Sequence, residues 1–190
     1  MDARALLVTV LVLIASTTAK AEPVITRKNW RTHPRLAAVR ALYSENEKLE
    51  REHKLKAERL EFSCDGPGME TERTALRDGA GRVRQYLTRM GGEDSAYTAE
   101  HHYDGQGRLR FLFVKGGAVN GSALELRIYF DEAGERLWED RQLVKGPGYT
   151  FINPWPDDLL VRDAGKALQA PPEPGCEQQS QRTVQKDGGT

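Results

Sequence analysis

Asp104-Gly105-Gln106-Gly107-Arg108-Leu109 is the middle member of three related turns. Asp78-Gly79-Ala80-Gly81-Arg82-Val83 precedes it, and Asp131-Glu132-Ala133-Gly134-Glu135-Arg136-Leu137 follows. The Asp residues recur at spacings of 26 and 27. Each Asp can bond its own backbone at the start of a type I turn. The Gly three places on can take the left-handed conformation that closes a bulged hairpin. Strands are expected on both sides of each turn, so the period is one hairpin.

The flanking residues alternate as strands do. Leu109, Phe111 and Phe113 alternate with Arg108, Arg110 and Leu112, and Leu124, Leu126, Ile128 and Phe130 with Glu125, Arg127 and Tyr129. Such a pattern belongs to an antiparallel sheet with one wet face. Closing the second turn with its Gly in the bulge sets Tyr103 opposite Leu109 and His101 opposite Phe111. Tyr97, Ala99, His101 and Tyr103 are then expected on the face of Leu109, Phe111 and Phe113. In the third turn Arg136 stands where Leu109 would, which implies either a longer loop or a shifted register. Strands are expected at 59–64, 70–77, 82–89, 96–104, 108–115 and 122–131, with 136–144 as a seventh. No connection is long enough for a crossover helix, so the strands form a meander.

Upstream, Thr32 is a candidate N-cap for a helix with Pro34 in its first turn. Leu36, Val39, Leu42 and Tyr43 then form an apolar stripe at helical spacing. Residues 44–59 are highly charged and read as a solvated helix extension or a linker. Downstream, Gly146-Pro147-Gly148 ends the sheet, and Leu159, Leu160 and Ala164 can pack from a short helix. The expected fold is α+β. An antiparallel β-meander of six to seven strands carries an N-terminal helix on one face and a short C-terminal helix. The organisation expected is a leader at 1–21, a helical segment at 22–58, the meander domain at 59–169 and a disordered tail at 170–190. The tail expectation rests on its Pro, Gln, Ser and Gly content.

The leader reading comes from Leu6 to Ile14, a short apolar run, followed by Ala19-Lys20-Ala21. These features read as a secretory signal peptide cleaved near Ala21. The run is too short for a bilayer span of about 20 apolar residues. A periplasmic or extracellular location follows as an expectation, with no membrane anchor in the mature form. Of 28 basic and 28 acidic residues, the leader takes Arg4, Lys20 and Asp2, leaving a formal charge of −1. That balance argues against nucleic acid as a partner. The two cysteines, Cys64 and Cys176, are expected to form a disulfide in an oxidising compartment.

Chemistry-bearing motifs are sparse. His102, Glu100 and Asp104 fall on one face of a strand, whereas His101 points to the other. A His with two carboxylates can act as a general base or bind a metal; the alternative is a solvated outer face. Tyr149, Phe151 and Trp155 form an aromatic group that either anchors a partner or covers the end of the sheet. Trp30 has the same two readings. Lys115-Gly116-Gly117 and Asn120-Gly121-Ser122 lack the phosphate-loop pattern, and no Gly-x-Ser-x-Gly is present. Nothing in the sequence calls for a cofactor, and the two cysteines have no further ligands at zinc-binding spacing.

Tyr103-Asp104-Gly105-Gln106-Gly107-Arg108-Leu109 resembles the tyrosine–aspartate repeat of bacterial secreted proteins. Phe130 to Gly134 matches that pattern in part, with Phe for Tyr, and Asp78 to Val83 matches it without the leading aromatic. The chain as a whole resembles small exported proteins of Gram-negative bacteria. The resemblance implies export and hairpin stacking, and no activity. The function expected is an exported non-catalytic binding module for a protein or envelope component. The alternative is a hydrolase or metal-dependent enzyme built on Glu100, His102 and Asp104.

Overall fold

The computed structural model describes residues 23–63, 70–91, 93–149, 159–170 and 176–184. The leader at 1–21 therefore lies outside the described residues, as do Cys64, Phe151 and Trp155.

All three Asp/Gly turns close in the same way. The Asp N–H donates to the carbonyl four residues on, in Arg82, Arg108 and Glu135, and the Gly N–H donates back to the Asp carbonyl. Gly81, Gly107 and Gly134 sit at φ 79°, 78° and 84°, a conformation in which a Cβ is strained. The Asp carboxylate fills the turn: Asp104 Oδ1 accepts from Gln106 N (2.9 Å) and Arg108 N (3.0 Å). Consecutive turns are also tied together. Arg82 Nη1 donates to the Gly105 carbonyl at 3.1 Å, and Arg108 Nη1 to the Glu132 carbonyl at 3.3 Å.

The strands are β1 (Lys56–Ser63), β2 (Glu70–Arg77), β3 (Val83–Gly91), β4 (Ser95–Tyr103), β5 (Leu109–Ala118), β6 (Ala123–Phe130), β7 (Arg136–Lys145) and β8 (Glu177–Val184). They form one antiparallel sheet in the order β7-β6-β5-β4-β3-β2-β1-β8. The meander is as the sequence predicts, with one strand more. The disordered tail expected from residue 170 does not hold for Glu177–Val184, which pairs along β1. Composition misses this strand because an edge strand is held by backbone N–H and C=O groups, whatever its side chains.

The faces of the sheet differ from the sequence reading. Tyr103 does pair with Leu109, but the next pair is His102 with Phe111. Arg110 is therefore an extra, bulged residue, and it shifts the register by one. Phe111 and Phe113 consequently lie on the face of Glu100 and His102, opposite to that of Leu109, Leu112 and Val114. The other hairpins carry the same bulge, at Arg84 and at Leu137. The third hairpin thus has neither a longer loop nor a different register.

Both faces are apolar as a result. One packs Leu60, Tyr86, Leu112, Leu126, Ile128 and Phe130 against Leu159, Leu168 and the short helix α2 (Ala164–Gln169). His101 Nε2 donates to the Leu159 carbonyl (2.7 Å) and the Tyr103 hydroxyl to the Val161 carbonyl (2.6 Å), fixing the segment that leads into α2. Buried Arg73 donates to the Ala167 and Ala170 carbonyls, where a helix C-terminus favours a cation.

The other face carries α1 (Ala37–Arg51), entered through a 3-10 turn at Pro34–Leu36. Its cap is His33, whose ring accepts from Arg35 N (3.3 Å), rather than Thr32. The Thr32 hydroxyl is engaged with the Asn29 carbonyl instead. Leu36 and Val39 pack on Phe111 and Tyr129. Fully buried Asn46 fastens the helix to the hairpins, donating to the Arg84 carbonyl (3.0 Å) and accepting from Arg84 Nε (3.1 Å). The charged stretch at 44–59 is helix as far as Arg51 and strand from Lys56.

Candidate functional site

A single helix is narrower than an eight-stranded sheet, so α1 leaves a groove on each flank. The groove toward β1–β3 has a volume of 350 Å³ and a mixed lining, with Leu55, Leu76 and Leu87 beside Glu50, Glu72, Arg59 and Arg89. The groove toward β5–β6 has a volume of 310 Å³, and its lining is mostly apolar: Trp30, Val39, Tyr43, Phe111, Phe113 and Tyr129.

The aromatic groove is a product of the bulge and the helix stripe together. The bulge at Arg110 turns Phe111 and Phe113 toward α1, and Val39 and Tyr43 descend from the helix. Trp30, in the segment before the helix, closes one end and stacks on Trp138 at 5.7 Å and 23°. Phe111 and Phe113 lie nearly parallel (6.3 Å, 14°), and the remaining rings meet at open angles. Tyr43 stands edge-on to Phe111 (5.6 Å, 88°), and Tyr129 is tilted against Phe111 (4.7 Å, 41°). Burial pushes the Tyr129 phenol up to about 12, so it is uncharged throughout the physiological range.

Among the described residues the charged groups lining this groove are cations. Arg127 lies over the Phe113 ring at 4.6 Å and over Trp30 at 5.8 Å, and donates to Glu125 at 2.6 Å. Arg40 donates through Nη1 to the Trp30 and His33 carbonyls. Trp30 and Arg127 also line a neighbouring cavity of 480 Å³, which adds Arg27, Lys28, Arg31, Glu125 and Gln142. Arg27 is paired with buried Asp140. Lys28 and Arg31 are exposed at the mouth.

Glu100, His102 and Asp104 are not assembled as a reactive triad. Burial raises the Glu100 carboxyl, Lys115 opposes that shift and Glu50 adds to it. His102 is 1% exposed and lies under the Tyr43 ring at 4.8 Å. Neither of its ring nitrogens has a hydrogen-bond partner. Burial lowers its pKa to about 4, with His101 adding to the shift. Asp104 is committed to its turn, where Oδ2 accepts from Arg108 Nε (2.8 Å) and Arg110 Nη1 (3.3 Å). Burial alone would raise the Asp104 carboxyl, but the hydrogen bonds from Arg108 and Gln106 outweigh it and hold the carboxyl low. Among the described residues no group of three or more His, Cys, Asp or Glu is placed to hold a metal ion.

Tyr149 is half-buried and hydrogen-bonds to Asp94, which raises its phenol. It does not line the groove. Two further groups lie near Glu100, and the sequence reading did not join them to it, taking Tyr43 only as part of the apolar stripe. Glu47 and Tyr43 project from α1, and both are raised chiefly by burial, with Glu100 adding to each shift. Their four-residue spacing on one helix face was the available signal. Cys176 immediately precedes β8. The chain matches no family model, no curated protein and no solved structure.

Proposed function

We propose that this chain is an exported, non-catalytic binding module, and that the groove between α1 and β5–β6 is its docking site for an envelope component or protein. The observation that carries this reading is a half-open aromatic wall whose charged lining is cationic. Binding sites are commonly concave and apolar with a few convergent polar groups. The signal-like leader supports the exported part. Enrichment of an envelope component on the immobilised mature chain, lost in Tyr43→Ala, tests the reading. Failure to enrich anything, together with a positive turnover assay, overturns it.

A second reading, an enzyme acting through Glu100 and His102, draws support from the raised carboxyls of Glu100 and Glu47, since perturbed groups cluster at active sites. On that reading His102→Ala abolishes turnover while circular dichroism shows the sheet still folded.

The reading also includes a Cys64–Cys176 disulfide. Ser63 and Glu177 are Cα partners in the β1–β8 ladder, and in the sequence Cys64 follows Ser63 and Cys176 precedes Glu177. Directly opposed antiparallel residues are about 4.5–5.5 Å apart at Cα, within the range a disulfide spans. Peptide mapping without reductant tests the pairing.

A further inference from the structure

We propose that the groove holds one molecule of a single-chain anionic amphiphile, with its hydrocarbon tail between α1 and β5–β6 and its anionic head at Arg127 and Arg40. This deepens the binding-module reading and rests on it. Three observations point the same way.

The first is the sequence of environments along the groove. Phe111, Val39 and Tyr43 give an apolar inner part, and Trp30 and Arg127 line both cavities and so stand at their shared border. Apolar space leading into a cationic mouth matches an amphiphile end to end.

The second is charge. Across the two cavities the lining has Arg27, Lys28, Arg31, Arg40 and Arg127 against the single acid Glu125. The groove on the other flank of α1 has Glu50 and Glu72 against Arg59 and Arg89, so the excess is local to the aromatic side. It is not a property of the near-neutral chain. Arg127 is only 19% exposed, and a guanidinium has five donors, of which one hydrogen bond goes to Glu125. A carboxylate or phosphate monoester can use the remainder in a charge-assisted contact.

The third is shape. The rings meet at 88°, 41° and, between Trp30 and Tyr129, 52°, while Phe111 and Phe113 lie nearly parallel at 14°. The near-parallel pair already faces itself at 6.3 Å, with no room for a flat ring between its members, and a flexible chain conforms to the tilted walls.

Decanoate is the probe, titrated as monomer against the mature chain with Trp fluorescence as the readout. Trp30 lines the groove and stacks on Trp138, so occupancy alters their emission. The expected result is saturable binding at one site per chain. Decanol, which lacks the charge, and inorganic phosphate, which lacks the tail, should bind at least tenfold more weakly. Arg127→Gln should weaken decanoate about tenfold or more, the loss expected for one charge-assisted contact, and leave decanol unchanged. Lys28→Gln, at an exposed side chain, should reduce the salt dependence of decanoate binding. Equal affinity for decanoate and decanol overturns the anionic head. Cosedimentation with phosphatidylglycerol vesicles in the absence of decanoate binding overturns the single-molecule ligand in favour of a membrane surface. No binding of decanoate, with an envelope protein still captured, overturns this ligand class and leaves the binding-module reading standing.

Discussion

His102→Leu should raise stability at neutral pH and flatten its acid limb. The two His102 ring nitrogens are buried without partners, and an unsatisfied buried polar group costs about 1–3 kcal/mol. Leucine removes that cost and keeps an apolar side chain under Tyr43. It loses the ring contact at 4.8 Å, worth about 0.5–1.5 kcal/mol. The net change at pH 7.5 should lie between about zero and 2 kcal/mol in favour of the variant. The pH dependence is the sharper test. His102 titrates at about 4 in the fold against about 6.5 unfolded. Between those values the unfolded chain binds more protons, so stability falls as pH falls. By pH 4.5 the loss is about 2 pKa units, or roughly 2.7 kcal/mol. A domain of this size shifts by about 2–4 °C per kcal/mol. The Tm drop between pH 7.5 and 4.5 should therefore shrink by roughly 5–10 °C in the variant. Circular dichroism melts of both proteins at the two pH values measure it. His101, also lowered by burial, keeps some acid slope in both proteins, and the difference between them isolates His102. A variant more than about 2 kcal/mol less stable at pH 7.5, or an unchanged drop, would refute the reasoning.

Asp104→Ala should cost about 3 kcal/mol, because it leaves buried Arg110 without its nearest acid. Asp131→Ala should cost only about 1 kcal/mol, since Asp131 serves backbone N–H groups alone; urea midpoints compare the two. Glu100→Gln should raise Tm at pH 7.5. The fold holds the Glu100 carboxyl above its ordinary value, so ionisation costs stability as pH rises. The gain should vanish below pH 4, and an equal gain at both pH values would contradict the burial argument. Cys176→Ser should free the last strand to limited proteolysis while β1–β7 stay protected. The accompanying loss in global stability is capped by the chain-entropy value of about 4–5 kcal/mol for so long a loop.

The turns were legible because Asp at the first position and Gly at the fourth act within a few residues of each other. The strands followed, since most of their ends are set by those turns and by Gly91, although β5 runs on through Gly116 and Gly117 to Ala118. The two-sided core was not read, although Phe111-Leu112-Phe113-Val114 is an unbroken apolar run of the kind a doubly covered strand shows. Arg110 hid it. A charged residue reads as solvent-facing, yet this one is 7% exposed and satisfied by Asp104. Its bulge recurs at Arg84 and Leu137 and so belongs to the Asp/Gly turn, which a period-2 count does not see. The aromatic groove was illegible for a related reason. Trp30, Tyr43, Phe111 and Tyr129 come from four separate elements, and nothing local announces that they meet. Glu100 and His102 do share a face, as alternation requires. Asp104 belongs to the turn instead, since its carboxylate is used by the backbone that shapes it.

The arginine ties between successive turns run in one direction. Arg82 gives to the second turn and Arg108 to the third, where Glu135 replaces the arginine and has no guanidinium to hand on. Arg162, from the segment before α2, donates instead to a different carbonyl of the third turn, that of Gly134. The series is therefore terminated at that end and open at the other. A duplicated hairpin could be spliced in ahead of Asp78 with its donor already matched. One added after Glu135 would find no outstretched hand.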